Sequence, residues 1–118
     1  MEDYFPESDF TNAQPACTKN DMNEESLTRF NIARHMAGVP FVVNSAFRSV
    51  QHENNKGRAG TSAHTRGTAM DIACATSSDR FIIVNALLKA GFNRIGIANT
   101  YIHADNDKQN FENVIWTY

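Results

Sequence analysis

The sequence predicts an α+β domain: a small, mainly antiparallel sheet with helices on one face. Two observations lead there. Two segments repeat apolar residues at helical spacing, and about five short segments alternate bulky with small or polar residues, several of them joined by tight turns. At 118 residues the chain reads as one domain, 1–118, with residues 1–20 as an irregular N-terminal arm.

The arm is rich in Asp, Asn, Thr and Pro, and Tyr4, Phe5 and Phe10 are its scattered apolar anchors. The first helix is expected to start at a cap supplied by Asn20 or Asp21. Glu24 and Glu25 suit its positive end, and Leu27, Phe30, Ala33 and Ala37 mark its apolar stripe. Gly38 followed by Pro40 stops it. His35, inside this helix, reads as a solvated surface residue. Phe41-Val42-Val43-Asn44 suits a buried strand that delivers Ser45-Ala46-Phe47-Arg48-Ser49 at its end. Val50 to Thr61 is polar and carries Gly57 and Gly60, so it reads as a loop, with His52 exposed on it, running into Ser62 and His64.

Ala69 to Cys74 reads as a strand. Ala69, Asp71 and Ala73 share one face and Met70, Ile72 and Cys74 the apolar other. Thr76 to Asp79 starts a second helix, made broadly apolar by Phe81, Ile82, Val84, Ala86, Leu87 and Leu88 and ended by Gly91. Arg94 to Ala98 alternates Ile95 and Ile97 with Gly96 and Ala98. Asn99 and Thr100 turn tightly into a strand whose Tyr101, His103 and Asp105 point one way and Ile102 and Ala104 the other. Glu112 to Tyr118 returns as a last strand carrying Val114, Trp116 and Tyr118 at alternate positions. The polar residues of the Asp71 and His103 strands would then occupy one sheet face while the helices cover the opposite one.

Composition narrows the function. Apolar content of 42% and charged content of 20% fit a packed core rather than a disordered chain. A formal charge of −2 leaves no basic footprint, which argues against a nucleic-acid partner. No apolar run approaches a membrane span, so no membrane insertion is expected. Met1-Glu2-Asp3-Tyr4 is acidic and lacks the basic and apolar regions of a secretory signal. The chain is therefore expected to be made in the cytoplasm, any extracellular role needing another export route, and to act as a monomer. Cys17 and Cys74, with no CxxC, do not make a disulfide framework.

His64, Asp71 and His103 are the candidate metal ligands. Two histidines and one carboxylate form a catalytic zinc set because three protein ligands leave the fourth tetrahedral position to water, whereas structural sites more often close with four ligands. The alanines flanking Asp71 leave room for an ion and a substrate. On spacing alone an ordinary alternative stands beside this one, in which the histidines are plain polar residues and Asp71 caps a turn, since His-x6-Asp is not specific. Arg48 falls, in sequence, on the lip of the same site; a surface salt bridge is the commoner fate of an arginine.

Several strings, in order, resemble one family: Ser45-Ala46-Phe47-Arg48-Ser49, Ser62-x-His64-x-x-Gly67-x-Ala69-x-Asp71, Gly91-Phe92 through Arg94-Ile95-Gly96-Ile97, Ile102-His103-Ala104-Asp105, and Trp116-x-Tyr118. The family is the zinc D-alanyl-D-alanine carboxypeptidases and related phage cell-wall peptidases, which share a fold with Hedgehog signalling domains. The resemblance implies one zinc ion per chain, held by His64, Asp71 and His103, with Arg48 contacting a substrate carboxylate or carbonyl oxygen and Ser62 shaping the site. Many members carry an acidic general base three positions before the second zinc histidine. Here that position is Thr100, so Asp105 is the candidate base, with an orienting carboxylate behind His103 as its other possible role.

The activity so implied is zinc-dependent hydrolysis of a peptide bond in bacterial peptidoglycan stem peptides or cross-links, carboxypeptidase-like or endopeptidic, with peptidoglycan peptide as the partner. A phage or prophage lysin released by a holin, or a phage particle component, fits a chain without a signal sequence. Two other classes are weighed against it: a catalytically silent, zinc-containing cell-wall or protein binding module, and a metal-free structural domain.

Overall fold

In a computed structural model, which describes residues 2–118, five strands form one sheet in the order β1-β2-β4-β3-β5. They are β1 (Val43–Ser45), β2 (Ala69–Ala73), β3 (Arg94–Ile97), β4 (Tyr101–Asp105) and β5 (Val114–Thr117). Every pairing is antiparallel except β3 with β5. The sheet is thus mainly antiparallel, and α+β is the class observed. One consequence of the register positions the site. Ser45 pairs with Asp71, Asp71 with His103, His103 with Gly96, and Gly96 with Trp116, so these five residues form a single row across the sheet.

Four helices accompany the strands: α1 (Glu7–Thr11), α2 (Glu24–Ala37), α3 (Val50–Asn55) and α4 (Ser77–Lys89). The two long ones, α2 and α4, pack against each other and cover the apolar sheet face. Phe30 of α2 stacks on Phe92 with ring centroids 4.1 Å apart, beside Ile83, Ala86 and Leu87 of α4 and Met70, Ile72, Ile95 and Ile102 of the sheet. Burial of such side chains supplies most of the driving force for folding.

Several local expectations are corrected. The cap of α2 is Asn23, whose side chain accepts from the Ser26 amide; Asn20 and Asp21 lie instead in a preceding 3-10 turn. Gly38 does end this helix, in the left-handed conformation that glycine reaches without strain. The arm contains α1 and buries Phe5 and Phe10 completely. Val50 to Asn55 is helical, not loop: the Ser49 side chain accepts from the His52 amide, and buried Glu53 anchors the turn. On α4, Ile83, Ala86 and Leu87 face the core, whereas Phe81 and Leu88 are exposed. Cys17 and Cys74 are free thiols, and no helix among the described residues is long and apolar enough to cross a membrane.

Candidate metal centre

His64 sits in a short 3-10 turn, Ala63–Arg66, held at both ends by its own sequence. Ser62 caps it, its hydroxyl oxygen accepting from the His64 amide at 3.2 Å. Gly67 closes it with φ 71°, and a side chain there would also press within 2.6 Å of the Asp21 carbonyl. The imidazole is 1% exposed. Its Nδ1 lies 2.6 Å from the Ala46 carbonyl oxygen, which only accepts, so Nδ1 carries the proton and Nε2 presents a lone pair. That Nε2 is buried, has no hydrogen-bond partner among the described residues, and lies 3.3 Å from Asp71 Oδ1.

Asp71 and His103 reach the same point from paired positions on β2 and β4. His103 Nδ1 is 3.1 Å from Asp71 Oδ1. Behind the ring, His103 Nε2 is 2.6 Å from Asp105 Oδ2. Both ring nitrogens of a buried imidazole therefore face carboxylate oxygens, which cannot donate. Burial alone would lower the His103 pKa, but Asp105 and Asp71 outweigh it and raise it. Burial would likewise raise the Asp71 carboxyl, yet His103 and His64 hold it well below the usual carboxylate range. The site is arranged for positive charge between these groups.

The residues fit a divalent metal. The donor atoms of His64, Asp71 and His103 all lie within 4.8 Å of one another. Tetrahedral donors about 2.0–2.2 Å from zinc stand roughly 3.4 Å apart, and the two separations to Asp71 Oδ1, 3.3 Å and 3.1 Å, are close to that. The buried lone pair of His64 Nε2, with no partner among the described residues, is a donor suited to such an ion.

The remaining sequence-derived residues fall around this point. Arg48 stands at the cavity wall with its side chain 18% exposed, Nη1 3.9 Å from Asp71 Oδ2 and 3.4 Å from Ser45 Oγ. Ser62 lines the cavity as the cap just described. Asp105 lies on the ligand face, as strand alternation requires, but is fully buried and heavily engaged: Oδ1 accepts from Arg94 Nε at 2.9 Å and from the Asp107 amide at 3.0 Å, while Oδ2 faces His103. Thr100 is exposed in the turn before β4, and His52 lies on α3 outside the cavity lining.

Sequence reasoning missed a second tier of residues. The cavity, of about 440 Å³, is also lined by Glu53 and Arg58 on one side and by Tyr101, Trp116 and Tyr118 on the other. Trp116 is there because Gly96 has no side chain: a Cβ at Gly96 would stand 2.7 Å from the indole, which packs 5.3 Å from the His103 ring. The pairing of an alternating Trp116-x-Tyr118 with a strand glycine is the signal that was available. Glu53 and Arg58 sit in a segment read as loop and gave none.

The family described as Peptidase M15 matches residues 6–105, a span that includes Arg48, His64, Asp71, His103 and Asp105 and stops short of Trp116. A search of curated proteins found no match. With the match covering most of its length, the chain belongs to the peptidase M15 family, the zinc D-alanyl-D-alanine carboxypeptidase-like peptidases that its motifs resemble.

Proposed function

We propose that this chain is a zinc metallopeptidase that hydrolyses a peptide bond in the stem peptides or cross-links of bacterial peptidoglycan. The observation that carries the reading is the convergence of His64 Nε2, Asp71 Oδ1 and His103 Nδ1 on one point at the edge of an open cavity. These three would hold a zinc ion, which would supply Lewis acidity and a bound water with a pKa lowered to about 7. The chain's own residues do the rest. Arg48 offers guanidinium N–H groups to a substrate carboxylate or to the oxygen on which charge develops. Ser62 fixes the turn that presents His64. The aromatic side chains of Tyr101, Trp116 and Tyr118 form the opposite wall, against which the substrate packs.

For Asp105 the reading is an orienting carboxylate. A general base needs an oxygen free to take a proton from the cavity, and Asp105 has both oxygens committed, one of them to the back of His103. Asp105→Asn decides between the roles. An orienting carboxylate predicts zinc affinity weaker by about 10–100-fold; a base predicts full zinc binding with cleavage lost.

The same observation favours a second reading. Of the carboxylates lining the cavity, Glu53 is buried, bonded to Arg58 and faced by Arg48, Asp71 is a ligand candidate and Asp105 is engaged, so a zinc-containing binding module for cell-wall peptides is the competing function. Incubation of the zinc-loaded chain with defined muropeptides, followed by mass spectrometry, separates the two. New amine and carboxyl termini establish the peptidase and identify the bond and direction of attack; their absence with peptide bound selects the module. The peptidase reading extends to a phage or prophage lysin reaching the wall after holin-type release or as part of a particle. Its test is lysis on co-expression with a holin.

A further inference from the structure

Arg48 is caught between two carboxylates and closed onto neither. Its Nη1 is 3.9 Å from Asp71 Oδ2, and its Nε is 3.4 Å from Glu53 Oε1. An arginine this well buried beside an ionised Asp71 would ordinarily close to a charge-assisted pair at about 2.7–2.9 Å. Such a pair, made on Oδ2, would draw negative charge away from the Oδ1 that faces His64 and His103, and would take the guanidinium away from substrate.

Glu53 opposes that closure. Its side chain is 1% exposed, an unusual position for a carboxylate on a six-residue polar helix. Arg58 Nη1 holds Oε2 at 2.6 Å, and the Arg58 amide donates to the Glu53 carbonyl at 2.9 Å, which fixes the segment after α3. That leaves Oε1, buried and without a hydrogen-bond partner among the described residues, facing Arg48 Nε, which is in the same condition. Burial alone would raise the Glu53 carboxyl, but Arg58 and Arg48 hold it below the usual range, so it is ionised at neutral pH.

We propose that Glu53 is a positioning residue that draws the Arg48 guanidinium off Asp71, leaving Asp71 free for the metal and Arg48 turned toward substrate. The inference rests on the metal reading of the site. It assigns Arg58 a purpose as well: by occupying Oε2, it leaves Oε1 as the oxygen that acts on Arg48.

The test is zinc affinity by competition with a chromophoric chelator, in wild type, Glu53→Gln, Arg48→Ala and the double variant. Removing the Glu53 charge lets Arg48 close on Asp71, so Glu53→Gln is expected to bind zinc about ten-fold more weakly. With Arg48 also removed the competitor is gone, so the double variant is expected to match Arg48→Ala and to bind more tightly than Glu53→Gln. If Glu53→Gln does not fold, Glu53→Asp takes its place, since it withdraws the carboxylate from Arg48 while keeping the charge; it is expected to weaken zinc binding in the same direction, and wild-type affinity there overturns the proposal. Wild-type affinity in Glu53→Gln overturns the proposal, as does a double variant weaker than Arg48→Ala. Failure of the wild type itself to bind zinc defeats the metal reading instead.

Discussion

β2 and β4 have two faces made by alternate residues of the same ten positions, and the faces are buried by different means. On one, Met70, Ile72, Ile102 and Ala104 are fully enclosed with Ile95 under the helices. On the other, His103 and Asp105 are about equally enclosed, at 7% and 0% exposure. Burial of an apolar side chain is favourable in itself, whereas burial of a charge is costly unless a partner is in contact. The apolar face is therefore complete as it stands. The polar face is a chain of compensations, Arg94 to Asp105, Asp105 to His103 and His103 to Asp71, that ends at His64 Nε2, a buried nitrogen with no hydrogen-bond partner among the described residues. One face is completed by packing alone; the other brings together donors that fit a cation.

The largest effects should come from breaking the polar face. His64→Ala and Asp71→Ala are each expected to reduce bound zinc from one equivalent to near zero by elemental analysis, with the far-UV circular dichroism unchanged. A ligand that binds only the native state stabilises it. Chelation should thus lower the melting temperature of the wild type and leave that of His64→Ala where it is. A wild type indifferent to chelator would show that the polar face is closed without an ion.

Ile102→Ala tests the opposite face of the same strand. Its side chain is fully buried, so its loss should cost about 2–5 kcal/mol in urea unfolding. The folded fraction should still hold one zinc. Loss of zinc in that fraction would mean the two faces are not independent.

This division was legible in the sequence because its signal is local. Asp71 between Met70 and Ile72, and His103 between Ile102 and Ala104, declare their faces by a period of two, and Gly67 marks the turn that presents His64. What was not legible depends on partners distant in the chain. Asp105 alternates onto the ligand face, but its engagement by Arg94 follows from the β3–β4 register. The alternation of Val114 to Thr117 does not say which strand it joins, nor that it runs parallel to β3. α3 shows no apolar stripe, since what anchors it is one buried carboxylate.

The row that links the site to the sheet edge gives a smaller effect. Gly96→Ala puts a Cβ where the indole of Trp116 lies, 2.7 Å away, so the ring must move. The expected cost is about 1–3 kcal/mol, as for other overpacked positions. Trp116 is the single tryptophan, so its emission reports the displacement directly. In a Trp116→Ala background Gly96→Ala should cost little, because the clash is gone. An undiminished cost there would place the strain in the β3 backbone instead.

The smallest expected effect concerns how the two ligand-bearing pieces are tied together outside the strands. Arg66, at the end of the His64 turn, makes two bonds to Asp107 beyond β4, Nε to Oδ1 at 2.9 Å and Nη2 to Oδ2 at 2.6 Å. The hydrogen bond from Arg66 holds the Asp107 carboxyl below its usual range against the opposing effect of burial. A carboxyl depressed in the folded state stabilises above its unfolded pKa of about 4, and that stability is lost as pH falls through the lower folded value. Asp107→Asn should then be less stable than wild type by about 0.5–1.5 kcal/mol at pH 7, the net worth of an ordinary hydrogen bond, because the Arg66 side of the pair is partly exposed and screened. The gap should hold down to about pH 5 and narrow below pH 4, because protonation makes the wild type resemble the variant. A gap that stays constant to the acid end of a urea series would mean that the tie is made by shape and neutral hydrogen bonding, and that charge at Asp107 contributes nothing to holding the His64 turn against β4.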